Sequence, residues 1–153
     1  MKITISFLLL FASLLSFGQP KNEDRDPQYQ TEYTFSLTAN NSTISMLTYK
    51  SPTLKENSLV LTTEIEQCKR FEGLTLVLTS GETLSFKNSK IDCEKLPNGK
   101  SKLTSTLLLT PQLYKQLSET ELIKFHIGTV EVPVAFKEEG ENFKMIFDVS
   151  KNN

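Results

Sequence analysis

From residue 29 onward, apolar and polar residues alternate along the chain, which is the spacing of β-strands with one buried face. The pattern recurs in residues 29–37, 43–49, 59–65, 74–78, 84–86 and 103–109. Turn-forming residues separate these segments, namely Asn40-Asn41, Ser80-Gly81-Glu82 and Pro97-Asn98-Gly99. The clearest hairpin joins residues 74–78 to residues 84–86 through Gly81, because a glycine can take a positive φ.

The same period of two continues in the last third of the chain. It predicts a strand with Ile123, Phe125 and Ile127 facing the core, a strand over 130–136, and a final strand in which Phe143, Met145, Phe147 and Val149 share one face. Pro133 interrupts the strand over 130–136. Since proline cannot donate a hydrogen bond to a neighbouring strand, that strand belongs at a sheet edge or contains a bulge.

One short helix is predicted between these two groups of strands. Thr110 is suited to accept hydrogen bonds from the first turn, and Pro111 fits the first helical position because its missing N–H has no partner there. Leu113, Tyr114 and Leu117 form one apolar face. The helix should end near Ser118.

These elements predict a mostly β fold in a single β-rich domain spanning residues 29–150. The expected architecture is an antiparallel β-sandwich or small barrel of about eight strands with one short helix, since many short strands must each bury one face. The 153-residue chain is long enough to build one such core.

The first 18 residues have the pattern of a cleavable signal peptide. Lys2 precedes an apolar run over 3–15, and Ser16-Phe17-Gly18 provides small residues for a signal peptidase, with Gln19 as the first mature residue. The run is shorter than the roughly 20 residues that a membrane-spanning helix needs. The Ser-Phe-Gly-Gln ending resembles signal peptides of Gram-negative bacterial exported proteins. The expectation is a periplasmic or secreted protein with no stable membrane span after cleavage.

Residues 19–28 are polar, charged and bracketed by prolines, and we expect a flexible mature N-terminus. The chain has 17 basic and 18 acidic side chains, with both signs interspersed and only two arginines. A nucleic-acid-binding surface needs clustered basic residues, so this distribution argues against nucleic acid as a partner.

Two cysteines, Cys68 and Cys93, allow a single intrachain pairing. Export would place them where disulfides form and persist, so we predict a Cys68–Cys93 bridge. Unpaired or intermolecular thiols are the alternative. A bridged pair and one histidine leave too few ligands for a zinc site.

Candidate catalytic residues are few. His126 is the only histidine, and its position in the alternation puts it on the solvent face with Leu122 and Lys124. Glu64 and Glu66 lie two residues apart and are best explained as part of a solvated strand face. The chain contains no G-x-S-x-G, G-x-G-x-x-G or P-loop motif. We therefore assign no catalytic, cofactor-binding or metal-binding residue and no cofactor.

Threonines recur at positions predicted to face outward, and β-branching alone suits them to strands. They are Thr62, Thr75, Thr79, Thr104 and Thr106. A flat polar surface that binds sugar or protein is the functional interpretation. The sequence thus favours a binding or interaction protein with an unknown protein or glycan partner. The alternatives are a small exported hydrolase and a structural, envelope-associated protein.

Overall fold

The computed structural model describes residues 29–36, 41–50, 54–69 and 72–151, with side chains from residue 41 onward. The strands are β1 (Tyr29–Ser36), β2 (Thr43–Lys50), β3 (Lys55–Ile65), β4 (Leu74–Leu78), β5 (Thr83–Phe86), β6 (Ile91–Lys95), β7 (Ser101–Leu109), β8 (Leu122–Ile127) and β9 (Val130–Pro133). The helices are α1 (Pro111–Ser118) and α2 (Phe143–Lys151). The predicted signal peptide and the predicted flexible segment over 19–28 lie outside the described residues.

The strands form two antiparallel sheets whose inner faces share one core. The five-stranded sheet has the order β1-β2-β3-β7-β6, and the four-stranded sheet has the order β5-β4-β8-β9. The expected mostly β sandwich is therefore confirmed. Neither helix in the described part of the chain is long and apolar enough to cross a membrane.

The core follows the alternation along the strands. On β3, Leu59, Leu61 and Thr63 are fully buried, whereas the residues between them are partly exposed. The same inner face includes Ile44, Met46, Leu103 and Leu107, and the opposing sheet contributes Leu74, Leu76, Leu78, Phe125, Ile127 and Val132. Thr63 is satisfied within this apolar layer because its hydroxyl accepts a hydrogen bond from Ser42 at 2.8 Å.

Helix α1 confirms the prediction in its bounds and its cap. The Leu113 N–H donates to the Thr110 hydroxyl at 3.2 Å, and Pro111 occupies the first turn. Leu117 is fully buried against the strands. The apolar face of the helix therefore fixes α1 to the sandwich core.

The predicted final strand is wrong, because residues 143–151 form the second helix. Phe143, Ile146 and Phe147 are fully buried, which is the i, i+3, i+4 spacing of a helix. Asn142 caps the start of the helix, because its side-chain oxygen accepts a hydrogen bond from the Met145 N–H at 3.2 Å. It contacts α1, β1 and β2. The domain thus has two helices where the sequence predicted one.

A second correction concerns the direction of Ile123. The pairing of β4 with β8 shifts register between Val77 and Leu78, so Leu78 lies opposite Leu122 while Val77 lies opposite Lys124. The extra residue, Ile123, is 48% exposed, and Leu122 is buried instead. A bulge of this kind changes which residues of the strand face the core on one side of the extra residue. The predictions for Phe125 and Ile127 hold, because both lie beyond the bulge and are fully buried.

Two of the edge strands also differ from the prediction. Strand β9 ends at Pro133 rather than Phe136, and it is an edge of the four-stranded sheet, as Pro133 predicted. The alternation did not predict strand β6, which lies at the edge of the five-stranded sheet. Its residues are mostly exposed, so it lacks the alternation that reveals a strand.

The predicted disulfide between Cys68 and Cys93 is present, and no free cysteine lies in the described chain. Cys68 follows β3, and Cys93 lies in the middle of β6, which pairs only with β7 among the described strands. The bridge therefore links the edge strand β6 to the segment that follows β3, the central strand of the same sheet.

We expect removal of the bridge in a Cys68→Ala/Cys93→Ala variant to lower the free energy of unfolding by about 3 kcal/mol. The reason is that the unfolded chain regains the entropy of an open loop between residues 25 positions apart. Denaturant unfolding with and without a reducing agent measures the loss. A wild-type protein whose stability did not change on full reduction would contradict this expectation.

Candidate functional site

One side of the five-stranded sheet faces away from the core, and its described side chains are partly or fully exposed, with Ser45 as the buried exception. It is positioned by the registers of β2, β3, β7 and β6, which bring alternate residues of each strand into straight rows. We call this surface the outer face, and it comprises Thr43, Ser45, Leu47, Tyr49, Glu56, Ser58, Val60, Thr62, Glu64, Asp92, Glu94, Lys102, Thr104, Thr106 and Leu108.

A row of hydroxyl groups crosses the middle of the outer face. Thr62 lies opposite Thr43 on one side and opposite Thr104 on the other, and Asp92 continues the row on β6. The hydroxyls of Thr43 and Thr62 are 2.6 Å apart and hydrogen-bonded. Such cross-strand pairs stabilise the sheet, and the row also presents donors and acceptors about 5 Å apart to a ligand.

An apolar patch occupies one end of the outer face. Leu47 and Leu108 lie on either side of Ser58 in one row, and Val60 is two residues along β3. Leu108 is 57% exposed, the most exposed large apolar side chain in the described chain. A single exposed leucine needs no explanation, but three apolar residues grouped on a sheet face are typical of an interaction surface.

The opposite end of the outer face is charged. Glu64, Lys102 and Glu94 form a row across β3, β7 and β6. Glu64 accepts a hydrogen bond from the Asn41 side-chain amide at 3.2 Å. Two carboxylates to one ammonium leave this row with a net negative charge. The outer face therefore changes from apolar, through hydroxyl, to acidic along the strand direction.

The outward side of the four-stranded sheet carries the only histidine. Ser85, Thr75, His126 and Glu131 form one row across its four strands. The Glu131 carboxylate accepts from the Lys124 ammonium at 2.7 Å, and its Oε2 lies 3.5 Å from His126 Nε2. The hydrogen bond from Lys124 is the main cause that lowers the Glu131 pKa, desolvation opposes it, and the nearby Lys124 ammonium and His126 imidazole act in the lowering direction.

This row brings a hydroxyl, an imidazole and a carboxylate onto one surface, but the arrangement is poorly suited to nucleophilic catalysis. The Glu131 side chain is 52% exposed, and its closest charged partner is Lys124 rather than His126. A catalytic base gains strength from a site that excludes water, and an exposed sheet face does not exclude it. The row is best explained as a solvated ion pair with a neighbouring histidine.

Of the other residues singled out from the sequence, Thr75 lies opposite His126, whereas the glutamates and the remaining threonines lie elsewhere. Glu64 belongs to the outer face, whereas Glu66 is exposed beyond the end of β3. Thr79 is exposed in the turn after β4. Within the described ranges, no group of three His, Cys, Asp or Glu residues is arranged to hold a metal ion.

Leu108 is the candidate residue that the sequence interpretation missed. It lies in a run of three leucines, and its neighbours Leu107 and Leu109 are buried. The signal was present in the alternation, because Leu108 shares its parity with Thr104 and Thr106. An apolar residue among the polar residues of a solvent-facing strand side departs from the usual pattern, and this departure marks it as a candidate for binding.

Comparison with known proteins adds no functional information: no family model, curated protein or solved structure matches this chain.

The ion pair around Glu131 gives a testable pH effect. Replacing Lys124 by methionine removes the hydrogen bond and the charge that lower the Glu131 pKa, so this pKa should rise. A carboxyl with a lowered folded-state pKa contributes stability above its unfolded-state pKa, and that contribution is lost as the pH falls through the folded-state value. NMR titration of the side-chain carboxyl carbon measures the shift. The matched Lys102→Met variant on the other sheet should leave the Glu131 pKa unchanged, and an unchanged value in Lys124→Met would contradict the assignment.

Proposed function

We propose that this chain is an exported binding protein that uses the outer face to hold another exported protein. The observation that carries the proposal is the exposed Leu108 with Leu47 and Val60 beside it, at one end of the sheet face that lies opposite the core. Water-exposed apolar area grouped in this way is favourable to bury against a partner.

The export part of the proposal rests on the leader sequence and the disulfide. Residues 1–18 have the charged start, apolar run and small residues of a signal peptide. The Cys68–Cys93 bridge is of the kind that persists in the periplasm or outside the cell. Both features point to the same compartments.

A protein partner fits this surface better than a glycan. Sugar rings are held mainly by flat aromatic side chains and by hydrogen bonds; the chain contains no tryptophan, and the aromatic Tyr49 on the outer face is half-buried. The most exposed large apolar side chain of the outer face, Leu108, is aliphatic. The distribution of charge further suggests that the partner has an apolar centre and, about 20 Å away, basic residues opposite Glu64 and Glu94.

The dimensions of the outer face indicate a transient complex. The apolar row and the charged row are six positions apart along β3, which is about 20 Å, and the four strands of the outer face span about 19 Å. The resulting area is on the order of 400 Å² per partner, which is at the low end for specific complexes and typical of weak, reversible ones.

Site-specific photo-crosslinking in exporting cells tests the proposal. A photoreactive amino acid at Thr106 lies on the outer face, and the same amino acid at Ser85 lies on the other sheet and serves as the control. We expect a protein adduct from position 106 only. The adduct should be lost when Leu108→Lys is added, whereas Ile123→Lys, at a similarly exposed apolar residue, should leave it unchanged.

The mass of the uncrosslinked exported chain tests the leader in the same samples, and we expect it to begin at Gln19. A full-length exported chain would contradict cleavage. Equal adducts from both positions, or an adduct insensitive to Leu108→Lys, would contradict the outer face as the binding surface. Retention on cell-envelope polysaccharide without any protein adduct would favour the glycan alternative.

A further inference from the structure

The turn between β6 and β7 contains the only Asn-Gly pair of the sequence, Asn98-Gly99. Both residues are exposed. Asn98 occupies the third position of the turn, because the Gly99 N–H donates to the Leu96 carbonyl at 3.1 Å. The Leu96 N–H in turn donates to the Lys100 carbonyl at 2.8 Å and closes the hairpin. The pair therefore lies at a solvent-exposed hairpin tip.

The Asn98 side chain folds back onto this turn. Its Oδ1 accepts a hydrogen bond from the Lys100 N–H at 3.0 Å, which is a contact that asparagine commonly makes in turns. A donor aimed at a carbonyl oxygen stabilises the negative charge that develops there when the carbonyl carbon is attacked. The side-chain carbon Cγ of Asn98 is therefore activated toward a nucleophile.

The nearest candidate nucleophile is the backbone nitrogen of Gly99, which can close a five-membered ring with Cγ of Asn98. Gly99 has a φ of +84°, and no heavy atom of the described chain beyond its two neighbours lies within 4 Å of the position that a Cβ would take. A side chain here would hinder the rotation that brings the nitrogen to Cγ, and glycine removes that hindrance. The other asparagines in the described ranges are followed by serine or phenylalanine; they are Asn41, Asn57, Asn88 and Asn142.

We propose that Asn98 is a site of spontaneous covalent modification, in which the Gly99 nitrogen attacks the Asn98 side-chain amide. A bond forms between this nitrogen and Cγ, the C–N bond of the side-chain amide breaks, and the proton of the Gly99 nitrogen leaves with the released group as ammonia. Water then adds to one of the two carbonyl carbons of the cyclic imide and opens the ring to a carboxylate. Opening at Cγ gives aspartate, and opening at the main-chain carbonyl gives isoaspartate.

The hydrogen bond from Gly99 to Leu96 controls how often the ring closes, because the Gly99 nitrogen turns toward Cγ only after this bond breaks. Exposed hairpin tips open locally at a much lower free energy than the whole domain unfolds. Strand β6 is mostly exposed and pairs only with β7 among the described strands, so this end of the hairpin has few contacts that resist opening. The modification therefore proceeds in the folded protein, through local opening of the turn.

Both products change the charged end of the outer face. Lys95 pairs with Ser101 beside the turn, and the next pair is Glu94 with Lys102, which belong to the charged row. A carboxylate at position 98 adds one negative charge near this row. Isoaspartate also lengthens the backbone by one carbon, because the chain then runs through Cβ and Cγ. The modification depends on the turn alone and not on the proposed function.

Peptide mapping of the folded exported protein during incubation in neutral buffer tests the proposal. Asn88 is a matched internal control, because it is also exposed and occupies the third position of a turn in which the Ser89 N–H donates to the Phe86 carbonyl at 3.1 Å. We expect the peptide that contains residue 98 to gain aspartate and isoaspartate at least roughly tenfold faster than the peptide that contains residue 88, where the serine side chain hinders ring closure.

Two variants and a trapping reagent test the ring closure itself. Asn98→Gln keeps a side-chain amide but needs a six-membered ring, so position 98 should stay unmodified over the same period. Gly99→Ala places a methyl group beside the attacking nitrogen and should slow the modification roughly tenfold or more. In the wild-type protein, added hydroxylamine should intercept the cyclic imide and leave a hydroxamate at position 98.

Equal rates at positions 98 and 88 would overturn the proposal. So would a product that contains aspartate alone and no hydroxamate, because direct hydrolysis of the amide by water gives that result. The chemically unfolded wild-type chain is the positive control, since it lacks the turn. Conversion of position 98 in that control with no conversion in the folded protein would show that the turn blocks the reaction, which also overturns the proposal.

Discussion

The register of β3 between β2 and β7 is the constraint on which the rest of the structure depends. Along β3, Leu59 and Leu61 face the core, and Ser58, Val60 and Thr62 face away from it. A shift of one residue in either pairing would exchange the two sets. Burying a leucine side chain contributes roughly 1.5–3 kcal/mol, so exposing both leucines would remove a large share of a stability of about 5–15 kcal/mol. The same register aligns the hydroxyl row and the apolar patch of the outer face.

The ends of the sandwich are held by contacts that act at longer range in the sequence. The Tyr114 hydroxyl of α1 lies 3.2 Å from the Phe147 carbonyl of α2, and the two rings meet edge to face with centroids 5.1 Å apart. The Glu121 carboxylate accepts from the Phe143 N–H at the start of α2 at 2.9 Å. These contacts fix α2 against β1 and β2.

Much of the fold could be predicted from the sequence because one physical signal dominates it. Alternation identified most strands, glycine at positive φ identified the turns at Gly81 and Gly99, and Thr110 with Pro111 identified α1. The two cysteines allowed one pairing, and the structure contains it. Each of these signals is local, or, for the disulfide, has only one solution.

The errors occurred where the local signal is ambiguous. Phe143 and Phe147 are four residues apart, which fits both a strand face and a helix face, and the burial of Ile146 and Ser150 separates the two interpretations. The bulge at Ile123 arises from a register shift against β4, a partner about 45 positions earlier in the chain, which no local pattern reveals. The apolar patch was harder to predict, because Leu108 forms it together with Leu47 and Val60, which lie on neighbouring strands.

The central claim is that adjacent residues on the strands of the five-stranded sheet face opposite sides. One side is buried in the core, and the other is open and changes from apolar to acidic along the strands. Leu107 and Leu108 test it directly, because they are adjacent in sequence and 8% and 57% exposed. With both native cysteines bridged, a cysteine introduced at either position is the only free thiol of the described chain. Thiol-labelling rates of Leu107→Cys and Leu108→Cys in the folded protein should differ greatly, since a buried thiol reacts only after the structure opens. Fast labelling at 108 with protection at 107 is the predicted result, and equal rates or the reverse order would contradict the account.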